Sequence, residues 1–459
     1  MNNSFTRLVN KSFLLICIFT VSLFSQQLSA QDNSDQVSIP DRLMNMSVSN
    51  LMQEANSLYD NGDYDAARPY YLAITKKDTT QAGVYKRLAE VEYQRYDLSK
   101  SLEYLRTALE LEPNNEEWRA RFNTINQVAQ TMSDAQAEVN NQNYDEAIKQ
   151  FESVLDQYED FAPAYYSMGL VNAIRDNTDG AVEHLERAVE LDPENQKYVA
   201  ALENLAKSHF NDGVAAVRRG NLSTAEEEFN KVIQIDENFS RAYYMLGYIS
   251  RTRGNINRAI ELYQSALEIN PQDEAAWYAL GIAYRNVARN QQALDAFTKA
   301  SDINGNYSKA WHQRGEMLRQ MDRYTEAAQS YQNAIQTDPQ SVSSYEGLGL
   351  VYMQQGKYQQ AVNQFTTAIG FKESANLYFR LSDAYIELRD WQNVKDAAQN
   401  ALNLQSGFAA ALVNLGVAEC YLGNGDAALS AWESAAQDAQ WRSVANHHIE
   451  VYNKSGECP

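Results

Sequence analysis

A pattern of about thirty-four residues returns eleven times between Val48 and Arg442, and it decides more about the fold than any other feature of the chain. In the copy from Ser240 the recurring marks are Tyr243, Leu246, Gly247, Gly254, Ala259, Tyr263, Ala266 and Pro271. Thirty-four residues on stand Trp277, Leu280, Gly281, Ala288, Ala293, Phe297, Ala300 and Gly305. The next copy supplies Trp311, Arg314, Gly315, Asp322, Ala327, Tyr331, Ala334 and Pro339. A unit this short cannot bury its own apolar face and must stack on the next copy. A one-dimensional array is therefore expected, instead of the two to four globular domains that 459 residues would otherwise suggest.

Within each copy, apolar and small residues fall at helical spacing in two segments, helix A and helix B. Gly247 and its equivalents Gly169, Gly281, Gly315, Gly349 and Gly416 are expected where helix B crosses helix A, with Ala259 and its equivalents meeting them from the other side. The series Tyr71, Phe151, Phe229, Tyr263, Phe297, Tyr331, Phe365 and Trp432 is expected to wedge neighbouring copies together. Pro113, Pro193, Pro271 and Pro339 should end helix B, since proline cannot continue the hydrogen-bond ladder. These spacings resemble the tetratricopeptide repeat, over about 395 of 459 residues. The resemblance implies an all-α fold, an α-α superhelical solenoid of about eleven repeats, whose concave groove is lined by helix A and takes protein or peptide partners.

The copies are uneven. The first, third and fifth lack the early aromatic and the closing proline, and residues 116–127 and 196–205 are inserted ahead of the third and fifth. Trp118, Phe122, Ile125, Ala129 and Met132 keep helical spacing across the first insert, as do Tyr198, Leu202, Leu205 and His209 across the second. Both inserts read as backward extensions of helix A. The organisation expected is thus irregular repeats over 48–239, regular repeats over 240–442, and a capping helix and tail over 443–459. Residues 31–47 read as a flexible polar leader.

Residues 1–30 read as a signal peptide: Arg7 and Lys11 precede a twelve-residue apolar run, Phe13 to Phe24, too short to span a bilayer. Export to the periplasm, or secretion, is expected, with a membrane anchor by the uncleaved segment as the alternative. Without that segment the chain keeps 37 basic against 60 acidic residues, a net charge of −23. Such a body does not suit nucleic acid or an anionic membrane surface. Export permits Cys420 and Cys458, the two cysteines that remain, to form a disulfide, and a free pair is the other outcome.

With the repeats assigned, only about seventeen residues remain at each end, and no Walker loop, HExxH, CxxC or GxSxG occurs. No catalytic residue, metal site or cofactor is expected. Chaperone-binding members of the family hold a terminal carboxylate with Lys and Asn at the fifth and ninth places of one helix A. Here those places are Lys86 and Glu90, and the acid would repel the ligand. What stands out is the row that the family places in the groove, the fifth and twelfth positions of helix A. Consecutive copies give Tyr244 with Arg251, Tyr278 with Arg285, and His312 with Arg319, and Tyr166 and Phe379 continue the aromatic row. Planar arginine beside tyrosine is the composition of binding hot spots, although ordinary pairing with nearby acids would produce the same row. The expectation is a non-catalytic scaffold or adaptor that takes a protein or peptide segment, acidic in character, in the groove. The alternative is a carbohydrate-binding or polysaccharide-export accessory protein.

Overall fold

The computed structural model describes residues 39–459. The expected signal peptide and the first part of the 31–47 leader lie outside them. The described chain is all helical: eleven antiparallel A–B hairpins, a short helix Asp41–Met44 ahead of them and a closing helix Arg442–Ser455. Contacts divide the described chain into two compact units, the first of residues up to 211 with 234–236, the second of 212–233 with 237–459. Within each unit the hairpins stack in sequence order, so each is a segment of α-α solenoid.

Local chemistry explains the hairpins. Helix A ends one or two residues before a left-handed position in every copy, at Gly62, Tyr96, Gln142, Asp176, Gly220, Gly254, Ala288, Asp322, Gly356, Arg389 and Gly423. That single reversal turns the chain into helix B. Side-chain caps then hold several helix starts: the carboxylate of Asp63 accepts from the Ala66 N–H at 3.1 Å, and that of Asp273 from the Ala276 N–H at 2.9 Å. Helix B closes two residues before each of Pro113, Pro193, Pro271 and Pro339, with Ile256–Ile269 ahead of Pro271 as the example.

Gly247 and its equivalents face not the helix B alanine but the large side chain four residues after it, an aromatic in every case except Gly169, which faces Leu185. A Cβ on Gly281 would lie 2.6 Å from Cε1 of Phe297, and one on Gly247 2.6 Å from Cε1 of Tyr263. Gly315, Gly349 and Gly416 meet Tyr331, Phe365 and Trp432 in the same way. So the aromatic closes its own hairpin. It also reaches onward, because Gly347 of the following copy presses on Tyr331 from the far side. These rings are the largest wholly buried side chains of the array, and truncating one to alanine should cost ~3–5 kcal/mol.

Two single helices cover the inserts, Glu116–Asn140 and Gln196–Arg218. The leader differs from expectation over its described part. Leu43 is buried among Leu51, Tyr71 and Ile74, and Lys77 Nζ donates to the Met44 carbonyl at 2.6 Å. An apolar side chain within reach of an uncapped first hairpin docks there and covers it, which the polar composition of 31–47 conceals. At the other end, Trp432 packs against His448 and Tyr452 of the closing helix, and Cys420 and Cys458 are joined by a disulfide with Cα atoms 5.7 Å apart.

Candidate functional site

The second unit holds all but one of the residues expected in the groove. Successive A helices there approach one another more closely than successive B helices do, as Ser240–Thr252 and Glu274–Asn286 show, so helix A forms the inner face. Polar bonds cross that face from one A helix to the next. Arg285 Nη1 donates to Gln313 Oε1, His312 Nδ1 lies 3.2 Å from Ser344 Oγ, and Asn414 Nδ2 donates to Asp383 at 2.7 Å.

The aromatic members form the floor. Tyr244 packs 5.7 Å from the Tyr263 ring, and Tyr278 sits 5.7 Å from Phe297 and 5.2 Å from Tyr307. Burial raises the hydroxyls of Tyr244 and Tyr278 above the ordinary phenol range, so both are neutral at physiological pH and able to donate. Against that rise at Tyr278 act the charges of Arg285 and then of Arg251, which places this hydroxyl within the field of both guanidinium groups. Arg251 itself lies 5.6 Å over the Tyr248 ring and reaches the Tyr263 hydroxyl, which burial pushes up to about 12.

The expected row of three arginines is reduced to two. Arg319 is bound through Nε and Nη2 to both carboxylate oxygens of Glu316, at 3.2 and 2.6 Å, and the Tyr331 hydroxyl donates to the same acid at 2.9 Å. Burial works to raise the Glu316 carboxyl, yet these bonds bring it below its ordinary value, so the pair is closed and ionised. Arg251 and Arg285 take part in no ion pair among the described residues, whereas Arg253, Arg258 and Arg323, at or beyond the hairpin turn, each have a carboxylate within 3 Å. Burial also holds the His312 imidazole below its usual range, so it contributes no positive charge at pH 7.

Two expected members stand elsewhere. Tyr166 belongs to the first unit, 4.9 Å from the Tyr198 ring. Phe379 lies in a separate aromatic group with Phe408 and Trp441, at 5.5 and 6.3 Å. Sequence reasoning weighed the ninth place of helix A at Glu90 but left it out of the groove row, and so missed Tyr248, Glu316 and Asp383 there. That place falls between the fifth and twelfth on the same helical face, so extending the row by i+4 and i+3 would have found it. Among the described residues no group of His, Cys, Asp or Glu is placed to hold a metal, and no helix is long and apolar enough to cross a membrane.

Models of the tetratricopeptide repeat match residues 52–116, 250–314, 315–356 and 342–374. The chain belongs to the tetratricopeptide-repeat family. A model of the C-terminal ARM domain of tetratricopeptide repeat protein 21 matches residues 103–276, and none of the matching models is of a catalytic family. No curated protein matches the chain. Among solved structures, MamA is 26% identical with a TM-score of 0.34, covering 35% of this chain and 94% of its own. PilF of Pseudomonas aeruginosa is 24% identical with a TM-score of 0.38, covering 44% of this chain and 92% of its own. A chain of the APC/C assembly Cut9–Hcn1 is 13% identical with a TM-score of 0.40, covering 90% of this chain and 98% of its own. A tetratricopeptide-repeat array is a protein-interaction scaffold, and its partners are proteins.

Proposed function

We propose that this scaffold holds an extended segment of a partner protein along the inner face of its second unit, anchored by Arg251, Tyr244, Tyr278 and Arg285. One observation supports this above the others. In a chain of 60 acidic and 39 basic residues, the two inner arginines have no carboxylate of their own, while Arg253 and Arg323 at their hairpin turns do. An unpaired guanidinium on a tyrosine-lined floor is a standing site for an anionic group. A peptide fits better than a glycan, because Tyr244 and Tyr278 are already packed against Tyr263, Phe297 and Tyr307 and offer few open faces for stacking on sugar rings.

Placement of a photoreactive amino acid tests the reading. At Ile282, on the inner face between Tyr278 and Arg285, it should cross-link a protein partner in cells, and Arg251→Ala with Arg285→Ala should abolish that adduct. An adduct from Asp295 on helix B with none from Ile282 would refute it. Export to an oxidising compartment belongs to the same proposal, supported by the Cys420–Cys458 disulfide together with residues 1–30. Intact mass of the chain recovered from the envelope or medium should correspond to a start near Gln31, and a mass that includes residues 1–30 overturns soluble export.

A further inference from the structure

The inner face of the second unit is not uniformly charged, and its charges change sign along the stack. Arg251 and Arg285 stand on consecutive A helices with no ion pair. The next A helix presents the closed Glu316–Arg319 pair, the uncharged His312 and, one turn before His312, the exposed Lys309, which makes no ion pair among the described residues. The following one, Val342–Gln354, presents Glu346 at the fifth place, in register with Tyr244, Tyr278 and His312, and partly exposed. Glu346 makes no hydrogen bond or ion pair among the described residues. Unpaired cations at three successive repeats, the third beside a closed ion pair, are therefore followed by one anion.

Spacing turns this order into a recognition rule. Packed helix axes lie ~8–10 Å apart, and an extended chain advances ~3.3 Å per residue. One repeat step thus spans about three ligand residues. We propose that the groove reads a segment with two acidic residues three positions apart and a basic residue six positions after the second of them. The first acid meets Arg251, the second Arg285, and the base Glu346. The Tyr278 hydroxyl, in the field of both arginines, lies beside the stretch between the two acids and can donate to the ligand backbone there. The order of charges also sets direction, since a reversed segment would bring its base to the arginines. This inference rests on the peptide reading above and goes on to name what the peptide contains.

Selection of a random twelve-residue peptide library on the full chain tests it, followed by titration of fluorescein-labelled winners. Enriched peptides should show acid at one position and again three later, with Lys or Arg six beyond. Removing both acids should weaken binding roughly 2- to 30-fold at low salt, because each exposed pair is worth a few tenths to one kcal/mol. Arg285→Glu should reject those peptides and accept ones in which the second acid is replaced by Lys. Peptides whose binding depends on Arg251 and Arg285 but which show no three-residue spacing would overturn this inference and leave the peptide reading standing. Binding indifferent to Arg251→Glu with Arg285→Glu, or no enrichment at all, would overturn both.

Discussion

Asp383 offers a measurement in which the direction of a pH effect is decided by burial. Its carboxyl lies on the inner face of Ala375–Glu387, and burial raises it from 3.8 to about 6, against the Asn414 hydrogen bond and the charge of Arg380, with Glu387 adding to the rise. A carboxyl raised in the fold is one the folded state prefers protonated. The stability linked to it is therefore present at low pH and lost as pH climbs from about 4 through about 6. Ionised Asp383 destabilises the fold by up to about 3 kcal/mol at pH 7.5 and about 1 kcal/mol at pH 4.5, less whatever partial solvent contact removes. Asp383→Asn keeps an oxygen to accept from Asn414 and removes the charge. It should stabilise these two hairpins by about 2 kcal/mol more at pH 7.5 than at pH 4.5, whatever constant effect the amide has. Arrays of repeats do not melt as one unit, so amide exchange is the proper assay. After correction for intrinsic rates, protection of Ala375–Glu387 and Ala409–Tyr421 should rise about 30-fold more at the higher pH. An equal gain at both pH values, or a larger one at pH 4.5, would refute the argument that Asp383 is ionised against its surroundings.

Gly281→Ala should cost ~1–3 kcal/mol, since its Cβ meets a wholly buried Phe297 at 2.6 Å, while Gly305→Ala, with nothing within 4 Å, should cost little. Exchange should show the damage confined to 274–303 and the adjoining hairpins, and uniform loss along the chain would contradict a solenoid. Ala288 holds φ at 55°, so Ala288→Gly should stabilise its hairpin by ~1 kcal/mol in urea or exchange measurements, and a destabilised variant would contradict strain at this turn. Reduction of Cys420–Cys458 opens a link of 38 residues and should destabilise the closing helix Arg442–Ser455 by up to ~4 kcal/mol, with exchange rising there first. Two free thiols in the unreduced, denatured chain would remove that prediction.

The fold was legible because its information is repeated. A glycine such as Gly281 means little once, but the same small residue at the same place in copy after copy announces a close approach, and the closing prolines mark the hairpin ends. What lay against each glycine was not legible. Ala259 and Tyr263 are four residues apart on helix B, so both face helix A, and only the crossing geometry assigns the ring to the glycine. Leu43 was hidden for the opposite reason: it stands outside the repeat, where no second copy exists to mark it as core.

The site was legible by rows and illegible by pairs. Counting every thirty-four residues brought out Arg251, Arg285 and Arg319 as equivalents, yet equivalence of backbone position does not carry equivalence of charge. Glu316, three residues before Arg319 and one turn away on the same helix, takes both arms of its guanidinium, whereas the corresponding places before Arg285 and Arg251 hold Ile282 and Tyr248. A helical face is read three and four residues at a time, so the ninth place decides whether the twelfth is free. By that rule Arg251 and Arg285 are open at the twelfth place and, further along the inner face of the second unit, Glu346 is an open acid. A polar sequence of charges of this kind can distinguish a ligand from its reverse, which a row of three arginines could not do.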